Sequence, residues 1–213
     1  MAPPKIKICG ITSSAALDAC IRAQADFVGF VFYAPSPRNL TPSDAAELAA
    51  QVGTRAKKVG LFVNADDLEI AEGVQAGRLD IIQLHGSESP ERTAQIKTRF
   101  GLPVWKALPV ASAYDVERAL QYREIADLIL FDAKTPKGAL PGGMGLAFDW
   151  SLLAGYSGTA GWGLAGGLTP ENVGEAIRIT GTTLVDTSSG VESAPGVKDV
   201  DRIAAFCNAA RSQ

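Results

Sequence analysis

The chain has 213 residues, 20 Lys and Arg against 23 Asp and Glu, a formal net charge of −3 and 46% hydrophobic side chains. That length and apolar content support one large buried core and exclude global disorder. The slightly acidic balance argues against nucleic acid as a main partner, because backbone phosphates call for a concentrated positive field.

No apolar stretch approaches the roughly 20 residues that span a bilayer, and the segment after Met1 lacks the apolar region of a signal peptide. Three scattered cysteines, Cys9, Cys20 and Cys207, form neither a disulfide framework nor a CxxC metal pair. The expectation is a reduced, cytoplasmic protein with no membrane partner.

The first element is a short apolar run, Ile6 to Cys9, followed by Gly10 and the candidate helix cap Thr12-Ser13-Ser14. Phe27 to Phe32 reads as a second buried strand. Thr41-Pro42-Ser43-Asp44 opens a helix whose Ala45, Leu48, Ala49 and Val52 share one face. Val59 to Val63 is a strand, with Asn64 as the cap of a helix to about Gln75. Ile81 to Leu84 is a strand, and Ser89-Pro90 opens a helix to about Phe100. Val104 to Leu108 precedes a helix over Ala113 to Tyr122. Leu128 to Phe131 precedes a long glycine-rich stretch and a short helical piece after Phe148. Gly161 to Leu164 precedes a helix opened by Thr169-Pro170. Leu184-Val185 precedes a last helix holding Val200, Ile203, Ala204 and Cys207 on one face.

Eight strand-then-helix units with continuous apolar strands point to an α/β protein with a parallel sheet covered by helices. The count favours a single-domain (β/α)8 TIM barrel over residues 1–213, although an open doubly wound sheet shows the same alternation.

Barrel enzymes place reactive groups at the carboxyl ends of the strands. Cys9 ends the first strand, as a small buried hydrophobe or as a base or nucleophile if a cation favours its thiolate. Asp132 ends the sixth, as half of an ion pair with Lys106 or Lys134 or as a general acid. Gln83 and the sole histidine, His85, end the fourth. Arg38, in the stiff loop Ser36-Pro37-Arg38-Asn39, suits bidentate binding of a carboxylate. Gly166-Gly167 and the turn Asp186-Thr187-Ser188-Ser189-Gly190 follow the seventh and eighth strands, where barrels commonly hold a phosphate. The stretch Ala133 to Gly145 reads as a flap beside Asp132.

These residues resemble those of phosphoribosylanthranilate isomerase, an enzyme of tryptophan biosynthesis. The resemblance rests on Lys7-Ile8-Cys9-Gly10-Ile11-Thr12, Gly29-Phe30-Val31-Phe32, Ser36-Pro37-Arg38, Val59-Gly60-Leu61-Phe62-Val63-Asn64, Gln83-Leu84-His85-Gly86, Phe131-Asp132, Phe148-Asp149-Trp150, Ala165-Gly166-Gly167-Leu168 and Val185 to Glu192. It covers essentially the whole chain.

The resemblance implies a cofactor-free, metal-free Amadori rearrangement of a small phosphorylated substrate by a monomer or homodimer. Cys9 would be the general base and Asp132 the general acid. Arg38 would hold the anthranilate carboxylate. Gly166, Gly167 and the turn Asp186 to Gly190, with Ser188 and Ser189, would hold the phosphate, and Gln83 and His85 would also contact substrate. Two departures stand out: Met144 where the family pattern suggests Thr, and the glycine-rich Gly161-Trp162-Gly163-Leu164. The rival readings are the Amadori isomerase of histidine biosynthesis, which pairs two Asp residues, and a non-catalytic phosphometabolite-binding barrel.

Overall fold

The computed structural model describes residues 3–134, 148–154, 156, 158 and 161–213. Eight parallel strands close into a barrel in chain order: β1 Lys5–Cys9, β2 Phe27–Phe32, β3 Lys57–Phe62, β4 Ile81–Leu84, β5 Val104–Val110, β6 Leu128–Ala133, β7 Gly161–Leu164 and β8 Leu184–Thr187. Closure comes from β8 pairing with β1, with Lys7 opposite Asp186. The open-sheet alternative is thereby removed. A small antiparallel hairpin, β9 Glu192–Ala194 and β10 Val197–Lys198, follows β8.

Alternation along each strand divides two cores. On β1, Ile6 and Ile8 join the layer packed under the helices, while Lys7 and Cys9 face the barrel interior with Asp186. The interior floor is apolar, built from Phe27, Val59, Ile81, Trp105, Leu130 and Leu184. Phe27 and Trp105 meet edge to face at 5.0 Å. Gln83, Asp132 and Asp186 lie above this floor, at the carboxyl ends. At the opposite end, Asp26, Asp80 and Asp127 each accept a 2.8 Å bond from the backbone N–H of a neighbouring strand, at Ile6, Lys58 and Val104.

The helices are α1 Ser14–Arg22, α2 Pro42–Val52, α3 Asp67–Gly77, α4 Pro90–Phe100, α5 Ala113–Glu117, α6 Val173–Thr180 and α7 Val200–Arg211. The Thr41 cap and Pro42 open α2 as expected, with Asp44 completing a capping box. Ser89 likewise accepts from Arg92 N–H at the start of α4.

Three helix boundaries differ from the sequence reading. Asp66, not Asn64, caps α3; the Asn64 side chain is taken by the loop after β4, accepting from Ser87 N–H at 2.8 Å. The helix expected over 113–122 is α-helical only to Glu117 and tightens into a 3-10 turn over Arg118–Tyr122. Thr169-Pro170 opens a turn and α6 waits until Val173. There the Asn172 side chain bends back, accepting from Thr169 N–H at 2.8 Å and donating to the Gly167 carbonyl at 2.9 Å. In the sixth unit the described helical piece is a 3-10 turn, Trp150–Leu153.

Candidate active site

The carboxyl ends of the strands surround a cleft. Every candidate residue lines it: Cys9, Arg38, Gln83, His85, Asp132, Gly166, Gly167, Asp186, Ser188, Ser189 and Gly190. Cys9 on β1 and Asp132 on β6 come from separate walls, with β7 and β8 between them.

Cys9 is buried, and Gly29 on β2 leaves room for its sulfur, since a side chain there would lie 2.8 Å from Sγ. Lys7, two residues earlier on the same face, is completely buried and donates to Asp186 Oδ2 at 2.8 Å. Burial is the largest influence on the Cys9 thiol and pushes it up; the Lys7 and Lys198 charges pull it back without overcoming burial. Burial acts to lower Lys7, yet its ammonium ends above its ordinary value, with the Asp186 carboxylate the strongest influence raising it. Cations do stand beside Cys9, yet burial outweighs them and holds the thiol above its ordinary value.

Asp132 pairs with neither Lys106 nor Lys134. Lys106 is enclosed with Glu88 at 3.0 Å, and Lys134 lies 3.5 Å from Asp115. The Asp132 partner is His85, whose Nε2 is 3.0 Å from Oδ2, while Oδ1 accepts from Ala133 N–H at 2.8 Å. His85 Nδ1 is in turn 3.1 Å from the Gln83 side-chain amide. The flap expected beside Asp132, with its Met144, lies outside the described residues beyond Lys134. The glycine-rich 161–164 segment forms β7, pairing with β6 from Leu128↔Gly161 to Phe131↔Leu164.

The two glycine and serine turns are tied together. Thr187 Oγ1 donates to the Leu168 carbonyl at 2.7 Å, and any side chain on Gly190 would overlap that carbonyl oxygen. Their backbone amides and the Ser188 and Ser189 hydroxyls border the cleft and suit a small anion.

Arg38 holds Glu192 in bidentate fashion, Nε to Oε1 at 2.8 Å and Nη2 to Oε2 at 2.7 Å. Lys198 joins the same carboxylate at 2.6 Å and also donates to the Ser188 carbonyl and Oγ at 3.0 and 3.1 Å. Ser188 Oγ donates onward to the Cys9 carbonyl at 3.0 Å. Burial pushes the Glu192 carboxyl up, but Arg38 and Lys198 together hold it below its ordinary value.

Lys7, Glu192 and Lys198 were not singled out from sequence. Lys7 had a readable signal, a charge inside an apolar strand on the same face as Cys9. Glu192 and Lys198 had none, because only the hairpin after β8 brings them to Arg38. Two buried acceptors among the described residues lack a partner and line the cleft, Gln83 Oε1 and Asp186 Oδ1. Among the described residues no group of His, Cys, Asp and Glu is placed to hold a metal ion. No helix there is long and apolar enough to cross a membrane.

A closed eight-stranded parallel barrel with a small-molecule cleft at the carboxyl ends of its strands defines a (β/α)8 barrel protein of the enzyme type. The family model for N-(5'phosphoribosyl)anthranilate (PRA) isomerase matches residues 6–209. The chain belongs to that family. A relative from Paracoccus denitrificans, named N-(5'-phosphoribosyl)anthranilate isomerase, is 58% identical over 202 residues, 94% of each chain. The crystal structure of phosphoribosyl anthranilate isomerase from Thermotoga maritima matches with a TM-score of 0.88 and 40% identity, covering both chains completely. Another solved isomerase of the family is in complex with reduced 1-(o-carboxyphenylamino)-1-deoxyribulose 5-phosphate. It matches with a TM-score of 0.86 and 38% identity, again over both whole chains.

Proposed function

We propose that this chain catalyses the Amadori rearrangement of N-(5'-phosphoribosyl)anthranilate to 1-(2-carboxyphenylamino)-1-deoxyribulose 5-phosphate, with Asp132 as general acid and Cys9 as general base. The observation that carries this reading is the placement of a thiol and a carboxyl on separate walls of one cleft that two amide-rich turns also line.

The chemistry divides between the two groups. Asp132 gives its proton to the furanose ring oxygen, the bond to the anomeric carbon breaks, and the amine lone pair forms an iminium ion. The Cys9 thiolate then takes the C2 proton, and the C2–H electron pair forms the C1–C2 double bond of an enolamine. Protonation at C1 and loss of the C2 hydroxyl proton give the ketone. The substrate's own iminium nitrogen is the electron sink.

Because burial favours the Cys9 thiol, the neighbouring Lys7 and Lys198 charges are what bring its thiolate within reach. The phosphate takes no part in bond breaking. Binding it at Gly166, Gly167 and Asp186 to Gly190 fixes the reacting carbons between acid and base. Arg38 at the cleft wall is the anchor for the anthranilate carboxylate. On this reading residues 1–213 act as one catalytic unit in the cytoplasm, as a monomer or homodimer.

The test is turnover of freshly generated phosphoribosylanthranilate, followed by the loss of its anthranilate fluorescence, for wild type beside Cys9→Ser. Wild type should turn over, and the serine variant should lose about 10²-fold or more in kcat, the scale of a general base. A fully active Cys9→Ser would remove Cys9 as the base. Folded wild type inactive on confirmed substrate would remove the reaction.

A further inference from the structure

The hairpin after β8 lies against the loop that carries Arg38. Its two strands put Lys198 opposite Glu192. Its turn residue Gly196, at φ +81°, meets that loop so closely that a Cβ would lie 2.7 Å from the Pro37 carbonyl oxygen.

Four donors converge on the Glu192 carboxylate. Oε1 accepts from Arg38 Nε at 2.8 Å and from Lys198 Nζ at 2.6 Å. Oε2 accepts from Arg38 Nη2 at 2.7 Å and from Gly196 N–H at 3.2 Å. The Glu192 and Lys198 side chains are 4% and 1% exposed and that of Arg38 is 11% exposed, which leaves water little room to replace any of these bonds.

A guanidinium is planar, and its five N–H directions are fixed relative to one another. Holding Nε and Nη2 therefore sets the directions of the other three. The stem is seated too: Gly10, at φ +76°, lets it lie on the backbone, since a Cβ there would be 2.5 Å from Arg38 Cδ. An arginine ordered in this way loses little further rotamer freedom when a ligand arrives.

We propose that Glu192 is a positioning residue that aims the Arg38 guanidinium at the carboxylate of the anthranilate moiety. This rests on Arg38 being the carboxylate anchor. Charge alone would act in the opposite sense. Neutralising Glu192 leaves the Arg38 and Lys198 charges unopposed, so a purely electrostatic role makes an anion bind more tightly in Glu192→Gln. Positioning makes it bind more weakly. Each Glu192 oxygen holds one Arg38 nitrogen and one other donor, and glutamine offers a single oxygen. Whichever way its amide turns, the two-bond grip on Arg38 drops to one bond.

Two stable ligands separate these effects: reduced 1-(2-carboxyphenylamino)-1-deoxyribulose 5-phosphate and its phenylamino counterpart, which lacks the carboxylate. Titration calorimetry gives both Kd values for wild type, Arg38→Ala, Glu192→Gln and Glu192→Asp. Wild type should bind the carboxylate ligand about 10–100-fold more tightly than its counterpart, the worth of a charge-assisted contact. Arg38→Ala should lose that ratio. Glu192→Gln should cut it by about tenfold, with Kd for the phenylamino ligand within about threefold of wild type. Glu192→Asp keeps the charge but is one methylene short, and should cut the ratio too; if Glu192→Gln does not fold, Glu192→Asp decides.

A ratio that holds or rises in Glu192→Gln overturns the proposal. So does an equal loss for both ligands, which is the mark of a merely structural role. The anchor reading fails separately: a wild-type ratio near one, or a ratio unchanged in Arg38→Ala, removes Arg38 as the anchor and the proposal with it. A ratio lost in Arg38→Ala but kept in Glu192→Gln removes only the role of Glu192.

Discussion

Gly166 is the position where one added methyl group should disturb both the fold and the chemistry. Its φ of +82° lies where L side chains are strained, an expense of about 1 kcal/mol for alanine. Space is the larger problem. A Cβ there would sit 2.3 Å from Ala133 N and 2.9 Å from Asp132 Oδ1. Ala133 N is backbone of β6 and already donates to that carboxylate oxygen, so no flexible tip can yield. The turn and the end of β6 must separate by about 1 Å, with an overpacking cost of about 1–3 kcal/mol.

For a chain of this length the combined loss of about 2–4 kcal/mol lowers Tm by roughly 5–15 °C. A displacement of that size at Asp132 should lower kcat by about 10²-fold. Gly101→Ala is the matched control. Its φ is +64° with nothing within 4 Å, so it should lose only about 1 kcal/mol and keep its turnover. Thermal unfolding by circular dichroism and the fluorescence assay measure both variants. Equal stability losses, with Gly166→Ala within about threefold of wild-type kcat, would refute the packing argument.

Asp132→Asn should lower kcat by about 10²-fold or more with little change in KM, since the amide cannot donate an acidic proton; unchanged turnover removes it as the acid. Arg38→Ala should raise KM by about 10–100-fold, the worth of a charge-assisted contact, and an unchanged KM counts against the carboxylate anchor. Glu192 gives a pH signature. Its folded carboxyl lies below the ordinary 4.5 because Arg38 and Lys198 outweigh burial. Its contribution is therefore present above 4.5 and lost as pH falls through the lowered folded value. The stability gap between wild type and Glu192→Gln, read from urea midpoints, should narrow as pH drops below 4.5. A gap that stays constant to pH 3 would contradict the pairing.

The alternation of strands and helices was legible residue by residue. Thr41-Pro42 and Ser89-Pro90 open helices where their chemistry says they should. Two of the three boundaries that moved lie where an amide side chain bonds outside its own helix, Asn64 to the loop after β4 and Asn172 to the Gly167 turn. The residues facing the cleft were readable as strand ends, because in a parallel barrel the carboxyl ends share one rim. Their partners were not. Asp132 looked equally suited to Lys106 or Lys134 and instead meets His85.

What chain order alone determined is whatever depends on near neighbours: strand periodicity, helix caps, and which reactive groups fall at strand ends. What closure of the barrel decided is every pairing that spans it. Lys7 meets Asp186 across 179 positions, and Arg38 meets Glu192 across 154. Such contacts follow from register and hairpin placement rather than from local composition. The Lys7, Asp186 and Lys198 charges act strongly on Cys9 because the closed apolar barrel removes water, so burial and ion pairing compete there.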